Sequence, residues 1–327
     1  MTTATEPMRL RVETWDPAYG ASTEEPAELG RSSAQVTLDV EVDESRWRPV
    51  DPDPSADRTE AAVLFVDGVR RIDAMAWIPG PDSDPDTVSL ALCASYAAGA
   101  VRCQPAGARL LTAEVRRGLF SISERATDLP TTAGSYRRVR VAAHGDPGQD
   151  LNLAVQRELA TVEAAVAESA ALESGGGDDV LVVDGPLRGR AHLPRALGFI
   201  KTHRSEYLPP AQHRIVGALE PGQRTPVFAL GTSWRRCSWY LKLPGRPGAP
   251  WAGVVRVECS AELPVAEVVE LANRSQPMLA RYASSEYKDA RAPQNLYPIA
   301  GLERELRRRL GDRALLYRAI RRAAISM

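Results

Sequence analysis

Two matching segments of the chain restrict its fold more than any other feature of the sequence. Residues 63–68 and 180–185 are apolar runs that both end in Asp-Gly, at Asp67 and Asp184. A run of this kind is typical of a strand buried on both faces, as in the interior of an α/β sheet. We therefore predict an α/β protein whose sheet is covered by helices.

The rest of the sequence alternates between strand-like and helical patterns. Residues 69–78 and 88–103 continue the first strand into a meander. From 150 to 173, apolar residues recur at steps of three and four, which predicts a helix before the second Asp-Gly strand. Further strands are predicted at 136–142, 226–230, 238–243 and 253–259, and helices at 265–274 and from 302 to the carboxyl terminus. This order of elements predicts a single mixed β-sheet flanked by helices.

Composition excludes several classes of protein. Hydrophobic residues make up 44% and charged residues 25%, the balance of an ordinary globular protein. No apolar run approaches the ~20 residues that span a bilayer, and the amino terminus lacks a signal-peptide pattern, so we expect a cytoplasmic protein without membrane contact. The four cysteines are scattered, which favours buried thiols over disulfides or a zinc site.

Charge is distributed unevenly along the chain. Residues 1–60 contain 6 arginines and 14 acidic residues, whereas residues 301–327 contain 8 arginines and 3 acidic residues. We predict an acidic, partly strand-forming segment at 1–60, followed by one domain at 61–327. The basic region fits either a surface for nucleic acid or the solvated face of a helix.

The two aspartates are the first candidates for chemistry. A carboxylate at the carboxyl end of a buried strand emerges where α/β sheets bind ligands, and oxygen ligands favour Mg²⁺ or Mn²⁺. The alternative is that each Asp-Gly only forms a turn, since it is a common turn dipeptide. A third acidic ligand is expected, and Glu163 and Glu158 on the helix before the Asp184 strand are both candidates.

Lysine is rare in this chain. Of 41 basic residues only three are lysines, and Lys201 lies shortly after the Asp184 strand, where an ammonium group can neutralise phosphate. Lys242, Arg256 and Glu258 lie on two alternating segments, and they share one face if those strands pair. They are candidates for substrate binding, although a structural ion pair explains them as well.

Five short blocks resemble the NurA nuclease family, in that family's order. They read FVDG at 65–68, VDGPL at 183–187, GFIK at 198–201, WYLKL at 239–243 and VRVE at 255–258. The resemblance covers roughly residues 60 to 320. It implies an RNase H-like fold, a carboxylate cluster that binds Mn²⁺ or Mg²⁺, and DNA exonuclease and single-strand endonuclease activity. It also implies a HerA-type hexameric ATPase as partner and a homodimer.

The resemblance assigns roles to individual residues. Asp67 and Asp184 match the two strand aspartates, Lys201 matches the lysine, and the helix glutamate falls on Glu163 or Glu158, with Glu163 favoured by its spacing to Asp184. Family members often have a histidine near a Tyr-Pro block, but the block at 297–298 has none after it. Glu303 either substitutes for that ligand or the ligand is absent.

These observations support two functions of different classes. The first is a divalent-metal-dependent deoxyribonuclease. The second is a catalytically weak or inactive NurA-like subunit of a DNA-translocating ATPase complex, which the missing histidine favours. An actin-like sugar kinase or phosphatase ranks last, because the glycines at 175–177 lie on the wrong side of their strand for a phosphate loop.

Overall fold

The computed structural model describes residues 8, 10–12, 30–31, 34–58, 61–80, 87–173, 177–203, 205–232, 234–245, 251–285 and 292–326. The strands in these ranges are β1 (Arg11–Val12), β2 (Gly30–Arg31), β3 (Gln35–Thr37), β4 (Val63–Pro79), β5 (Val88–Gln104), β6 (Gly107–Ser121), β7 (Leu129–Thr131), β8 (Gly134–Arg140), β9 (Val180–Asp184), β10 (Ala196–Ile200), β11 (Ser205–Glu206), β12 (Phe228–Gly231), β13 (Arg235–Lys242) and β14 (Val254–Ser260). The helices are α1 (Pro147–Glu173), α2 (Pro210–Gly217), α3 (Val265–Tyr282), α4 (Tyr297–Arg309) and α5 (Arg313–Ile325). Among the helices described, none combines the length and the apolar character needed to cross a bilayer.

One mixed sheet of twelve strands organises the described residues. Its order is β3-β12-β13-β14-β10-β9-β4-β5-β6-β8-β7, and β1 pairs with β4. At its centre, β4, β5 and β6 form an antiparallel meander, β9 is parallel to β4, and β10 is parallel to β9. The core order β6-β5-β4-β9-β10, with α1 between the meander and β9, is that of RNase H-like folds. The predicted mixed sheet flanked by helices is confirmed.

The two apolar runs form the central strands because successive side chains point to opposite faces of the sheet. Leu64 and Val66 on β4 pack with Leu181 and Val183 on β9 in the core beneath α1. The residues that alternate with these point to the other face of the sheet, where they form a second core with α3 and the start of α4. They are Val63, Phe65, Val180 and Val182. Both faces of each run are therefore buried, as predicted.

β4 continues through Asp67 to Pro79, as the strand-like pattern of residues 69–78 predicts, because residues beyond Gly68 keep pairing with β5. Two predicted helix boundaries were wrong. The helix predicted from 302 onward is two helices, α4 and α5, separated at Gly311, which has a φ of 85° that favours glycine. The predicted helix at 265–274 extends to Tyr282 as α3.

The described part of the acidic segment packs on the edge of the same sheet. β3 pairs with β12, and the indole of Trp47 lies 6.1 Å from the ring of Phe228. Arg224 has no solvent exposure, and its guanidinium binds both carboxylate oxygens of Glu41 at 2.8 Å. This ion pair connects residues 34–58 to the strands that follow.

Replacing Glu41 with alanine should destabilise the whole protein, because the buried Arg224 charge loses its carboxylate. We expect a loss of about 3–5 kcal/mol in the free energy of unfolding, measured by urea denaturation. Asp51→Ala is the matched control, since Asp51 is exposed in the same segment and accepts one hydrogen bond from Gln223. A Glu41→Ala variant as stable as the control would show that this ion pair does not hold the segment.

Candidate metal centre

Three carboxylates converge on one face of the sheet. Asp67, Asp184 and Glu303 each offer an oxygen, and these oxygens all lie within 4.8 Å of one another. Asp67 and Glu303 are buried, at 7% and 8% exposure, and Asp184 is half-buried. Three acidic side chains this close repel each other unless a cation lies between them.

The parallel pairing of β4 with β9 brings the two aspartates together. The last paired residues are Val66 and Val183, so Asp67 and Asp184 follow one step later on both strands. Because neighbouring residues in register share a face, both side chains point to the same side of the sheet. β9 ends at Asp184 while β4 continues, so the prediction that each aspartate ends a strand holds for Asp184 only.

Glu303 comes from helix α4, which packs closely on the meander. Gly99 on β5 is the pairing partner of Asp67, and a Cβ at position 99 would lie 3.1 Å from side-chain atoms of both Leu302 and Leu306. The absence of a side chain at Gly99 therefore allows α4 to approach the strand that carries Asp67.

Two arginines hold the other end of α4. Arg71 donates hydrogen bonds to the carbonyl oxygens of Leu310 and Gly311, at 3.4 Å and 2.9 Å. Arg117 donates to the carbonyl oxygen of Leu310 at 3.1 Å. Cations at this position also stabilise the negative end of a helix dipole. These contacts fix where α4 ends and support the position of Glu303.

The electrostatics of the cluster fit a divalent cation. Burial raises the pKa of Asp67 well above its ordinary value, and the negative charges of Asp184 and Glu303 raise it further, while Lys201 opposes them. One oxygen of Asp67 accepts a hydrogen bond from the amide of Gly68 at 2.7 Å, and its other oxygen is buried without a hydrogen-bond partner among the described residues. Oxygen-only donors and an orphaned buried oxygen suit Mg²⁺ or Mn²⁺.

Lys201 lies directly beside the cluster. Its Nζ is 2.6 Å from Asp184 Oδ2 and donates a hydrogen bond to Asn295 Oδ1 at 3.1 Å. Asn295 is fully buried just before α4. Arg307 Nη2 also lies 3.4 Å from Glu303 Oε2, so two cations face three carboxylates, and the ionised cluster keeps an excess of negative charge.

Glu163 lies beside the cluster on the opposite face of the sheet. A Cβ at Gly68, next to Asp67, would collide with the Glu163 carboxylate. Burial raises the pKa of Glu163, an effect that the Arg190 guanidinium at 3.4 Å opposes and the charge of Asp184 reinforces. Glu163 is thus near Asp184 and neutralised by Arg190, and it is not among the three mutually close carboxylates.

Glu158, the other helix candidate, points elsewhere. Its carboxylate accepts a hydrogen bond from Tyr96, and burial together with this negative charge raises the pKa of Tyr96 to about 12. Of the two helix glutamates, Glu163 is the one whose charge reaches the aspartates.

A cleft of about 1090 Å³ opens over the carboxyl ends of β9 and β10. Asp184 and Lys201 line one side of it, so the carboxylate cluster is accessible from the cleft. The other residues that line it are a mixture of cationic, aromatic and amide side chains; they include Arg188, Arg256, His203, Tyr207, Gln156 and Gln294.

The remaining predicted residues divide between this cleft and the interior. Arg256 lines the cleft, and its Nη1 is 2.7 Å from the carboxylate of Glu258. Glu258 has no solvent exposure, lies 3.2 Å from Arg236, and accepts a hydrogen bond from the amide of Leu187 at 2.9 Å. Lys242 ends β13 and is not among the lining residues.

Sequence reasoning missed three residues that shape the centre. Asn295 had a weak signal, because it lies two residues before the Tyr-Pro block. Gly99 and Arg190 had none, since their importance depends on which helix and which loop pack against them.

No family model matches the chain, and no curated protein does. Solved structures that resemble it include the NurA nuclease from Sulfolobus solfataricus, 10% identical over 81% of this chain and 84% of that one, with a TM-score of 0.43. A second NurA structure matches 46% of this chain and 24% of its own length, at 14% identity and a TM-score of 0.21. The catalytic domain of human endonuclease V matches 81% of this chain and 92% of its own, at 17% identity and a TM-score of 0.33.

Divalent ions should stabilise the folded protein through Glu303. A ligand that binds only the folded state at 100 times its Kd adds about 2.7 kcal/mol, so Mn²⁺ should raise the melting temperature measurably. Glu303→Gln should remove most of this shift. Glu305→Gln, on the exposed side of the same helix, should keep it. An unchanged Mn²⁺ shift in Glu303→Gln would exclude Glu303 as a ligand.

The metal-free protein should show the cost of burying Asp67. Its raised pKa means that the folded state favours the protonated carboxyl, so stability is lost as pH rises from the ordinary value of 3.8 through the raised pKa. In EDTA at pH 7, Asp67→Asn should therefore unfold at higher denaturant concentration than the wild type, and the difference should shrink towards pH 4. Asp51→Asn is the control. A variant that is less stable at every pH would contradict this account.

Proposed function

We propose that this protein is a divalent-metal-dependent deoxyribonuclease. The observation that carries the proposal is the convergence of Asp67, Asp184 and Glu303 beside a cleft with cationic walls. Carboxylate clusters of this kind hold metal ions for phosphodiester hydrolysis, and cationic walls suit a polyanionic substrate.

Each residue near the cleft has a chemical role in this proposal. Asp67, Asp184 and Glu303 would hold the cation, which when bound stabilises charge on the phosphate and activates water. Lys201 is held between Asp184 and Asn295, so its ammonium is fixed where it can neutralise a phosphate oxygen. Arg256 adds a second cation on the cleft wall.

Glu163 is a proposed further ligand rather than a member of the cluster. It lies on the helix that the family resemblance indicates, and its charge is felt by Asp184. To bind a cation, the Glu163 carboxylate would have to give up its ion pair with Arg190. We propose that Glu163 and Arg190 together control the charge next to the centre.

The finer properties come from the sequence resemblance. DNA as the substrate, exonuclease and single-strand endonuclease activities, a HerA-type hexameric ATPase as partner and a homodimer are all proposed on the five NurA-like blocks. The proposed substrate contacts are Lys201, Lys242, Arg256 and Glu258, with Glu258 acting through Arg256.

The second candidate is a weak or inactive assembly subunit of a DNA-translocating complex. The observation that favours it is the neutralisation of Glu163 by Arg190, which leaves only three carboxylates close together. An inactive subunit would show no Mn²⁺-induced thermal shift, whereas the nuclease would.

The nuclease proposal is tested by cleavage of labelled single-stranded and duplex DNA, with Mn²⁺ or with EDTA. We expect cleavage only with the metal, and none from Asp67→Asn or Asp184→Asn. Lys201→Gln should reduce the rate about 10²- to 10³-fold, as expected for one fixed charge near the reacting group. Arg137→Gln is the control, because this exposed cation on β8 does not line the cleft, and it should keep the rate. Lys242→Gln, a proposed contact outside the cleft lining, should lose less than tenfold. Undiminished cleavage by Asp67→Asn would refute the proposal.

A further inference from the structure

The lining of the cleft contains a tyrosine whose ring is close to two arginines. The guanidinium of Arg256 lies 5.0 Å from the centre of the Tyr207 ring, and that of Arg236 lies 5.9 Å from it. Both arginines are buried, at 5% exposure, whereas Tyr207 is half-buried and lines the cleft. The cations are within the range of favourable contact with an aromatic ring.

The arginines are themselves fixed in position. Arg256 donates hydrogen bonds to Ser238 Oγ and to Glu258 Oε2, at 3.2 Å and 2.7 Å, and Arg236 lies 3.2 Å from the same carboxylate. A buried charged network with these contacts has little freedom to move. Tyr207 therefore rests on a rigid base, and its orientation is set before any ligand binds.

The charge next to the ring is positive overall, because two arginines share the single carboxylate of Glu258. Arg256 lies two strands away from Asp184, through β14 and β10, and the register points its side chain to the other face of the sheet. Both residues line the cleft, which opens at the strand ends. With strands spaced about 4.8 Å apart, the backbones at Asp184 and Arg256 are separated by about 10 Å. A nucleotide next to the reacting phosphate can span such a distance.

The cleft is large enough to hold part of a nucleic-acid strand. At about 1090 Å³ it slightly exceeds the usual range for pockets that bind ligands of drug size. That volume can hold a few nucleotides of a single strand. Single strands bind through cationic walls that follow the backbone and aromatic side chains that stack on the bases.

We propose that Tyr207 is a stacking platform for one unpaired base of a single-stranded substrate whose phosphate lies at the metal centre. This inference rests on the proposed function and adds a base-binding position to it. His203, which also lines the cleft, supports this assignment, since burial lowers its pKa and keeps it uncharged beside the base.

The test is binding of single-stranded oligonucleotides in EDTA, so that no cleavage occurs, with one abasic site moved along the strand. In the wild type, removal of the base at one position should weaken binding about 5- to 150-fold, the range for a stacked base. Tyr207→Ala should weaken binding of the intact strand similarly and should abolish the positional effect. Tyr207→Leu should do the same at nearly constant volume, and Tyr207→Phe should retain wild-type binding.

Tyr317→Ala is the matched control. Tyr317 is also half-buried and lies 5.9 Å from an arginine, Arg321, but it is on α5 and does not line the cleft. In Tyr317→Ala, the loss of binding should still depend on the position of the abasic site, as in the wild type.

The outcomes separate this inference from the proposed function. Suppose that the wild type cleaves DNA, and that the dependence of binding on the position of the abasic site is the same in the wild type, Tyr207→Ala and Tyr207→Leu. That result would overturn the stacking platform and leave the nuclease proposal intact. A Tyr207-dependent abasic profile in a protein that never cleaves DNA would support the platform and refute the nuclease. A wild type that does not bind single-stranded DNA would overturn the stacking platform, and the Mn²⁺-dependent cleavage assay would still decide the nuclease.

Discussion

The parallel pairing of β4 with β9 is the interaction on which the rest of the site depends. It places Asp67 and Asp184 in step, on the same face, with like charges close together in a buried environment. Such an arrangement costs stability in the absence of a cation, as the raised pKa of Asp67 indicates. The apolar residues that precede both aspartates supply the hydrophobic stabilisation that offsets this cost.

Much of this centre could be predicted from local patterns. The two apolar runs identified the central strands, because a strand buried on both faces needs no polar alternation. Asp67 and Asp184 interrupt those runs with charge, and the scarcity of lysine drew attention to Lys201, which lies 2.6 Å from Asp184. Each of these signals depends on a few neighbouring residues, so it can be recognised without knowledge of the tertiary structure.

The parts that could not be predicted depend on contacts between distant segments. Glu163 and Glu303 were both plausible ligands, and the choice between them is made by helix packing. α4 can approach the cluster because Gly99 has no side chain. Glu163 instead pairs with Arg190, which lies in the loop after β9.

The three carboxylates sit on parts of the fold that are held in different ways. Asp67 lies inside a 17-residue strand paired along its length, whereas Glu303 lies on a helix that packs on Gly99 and is tethered through two arginines at one end. The position of Asp67 is therefore set by strand pairing, and that of Glu303 by the packing of α4. Mg²⁺ demands near-ideal octahedral geometry at short distances, whereas larger cations tolerate irregular ligand sets. In the proposed metal site, the packing of α4 would therefore set the ligand geometry that a cation meets.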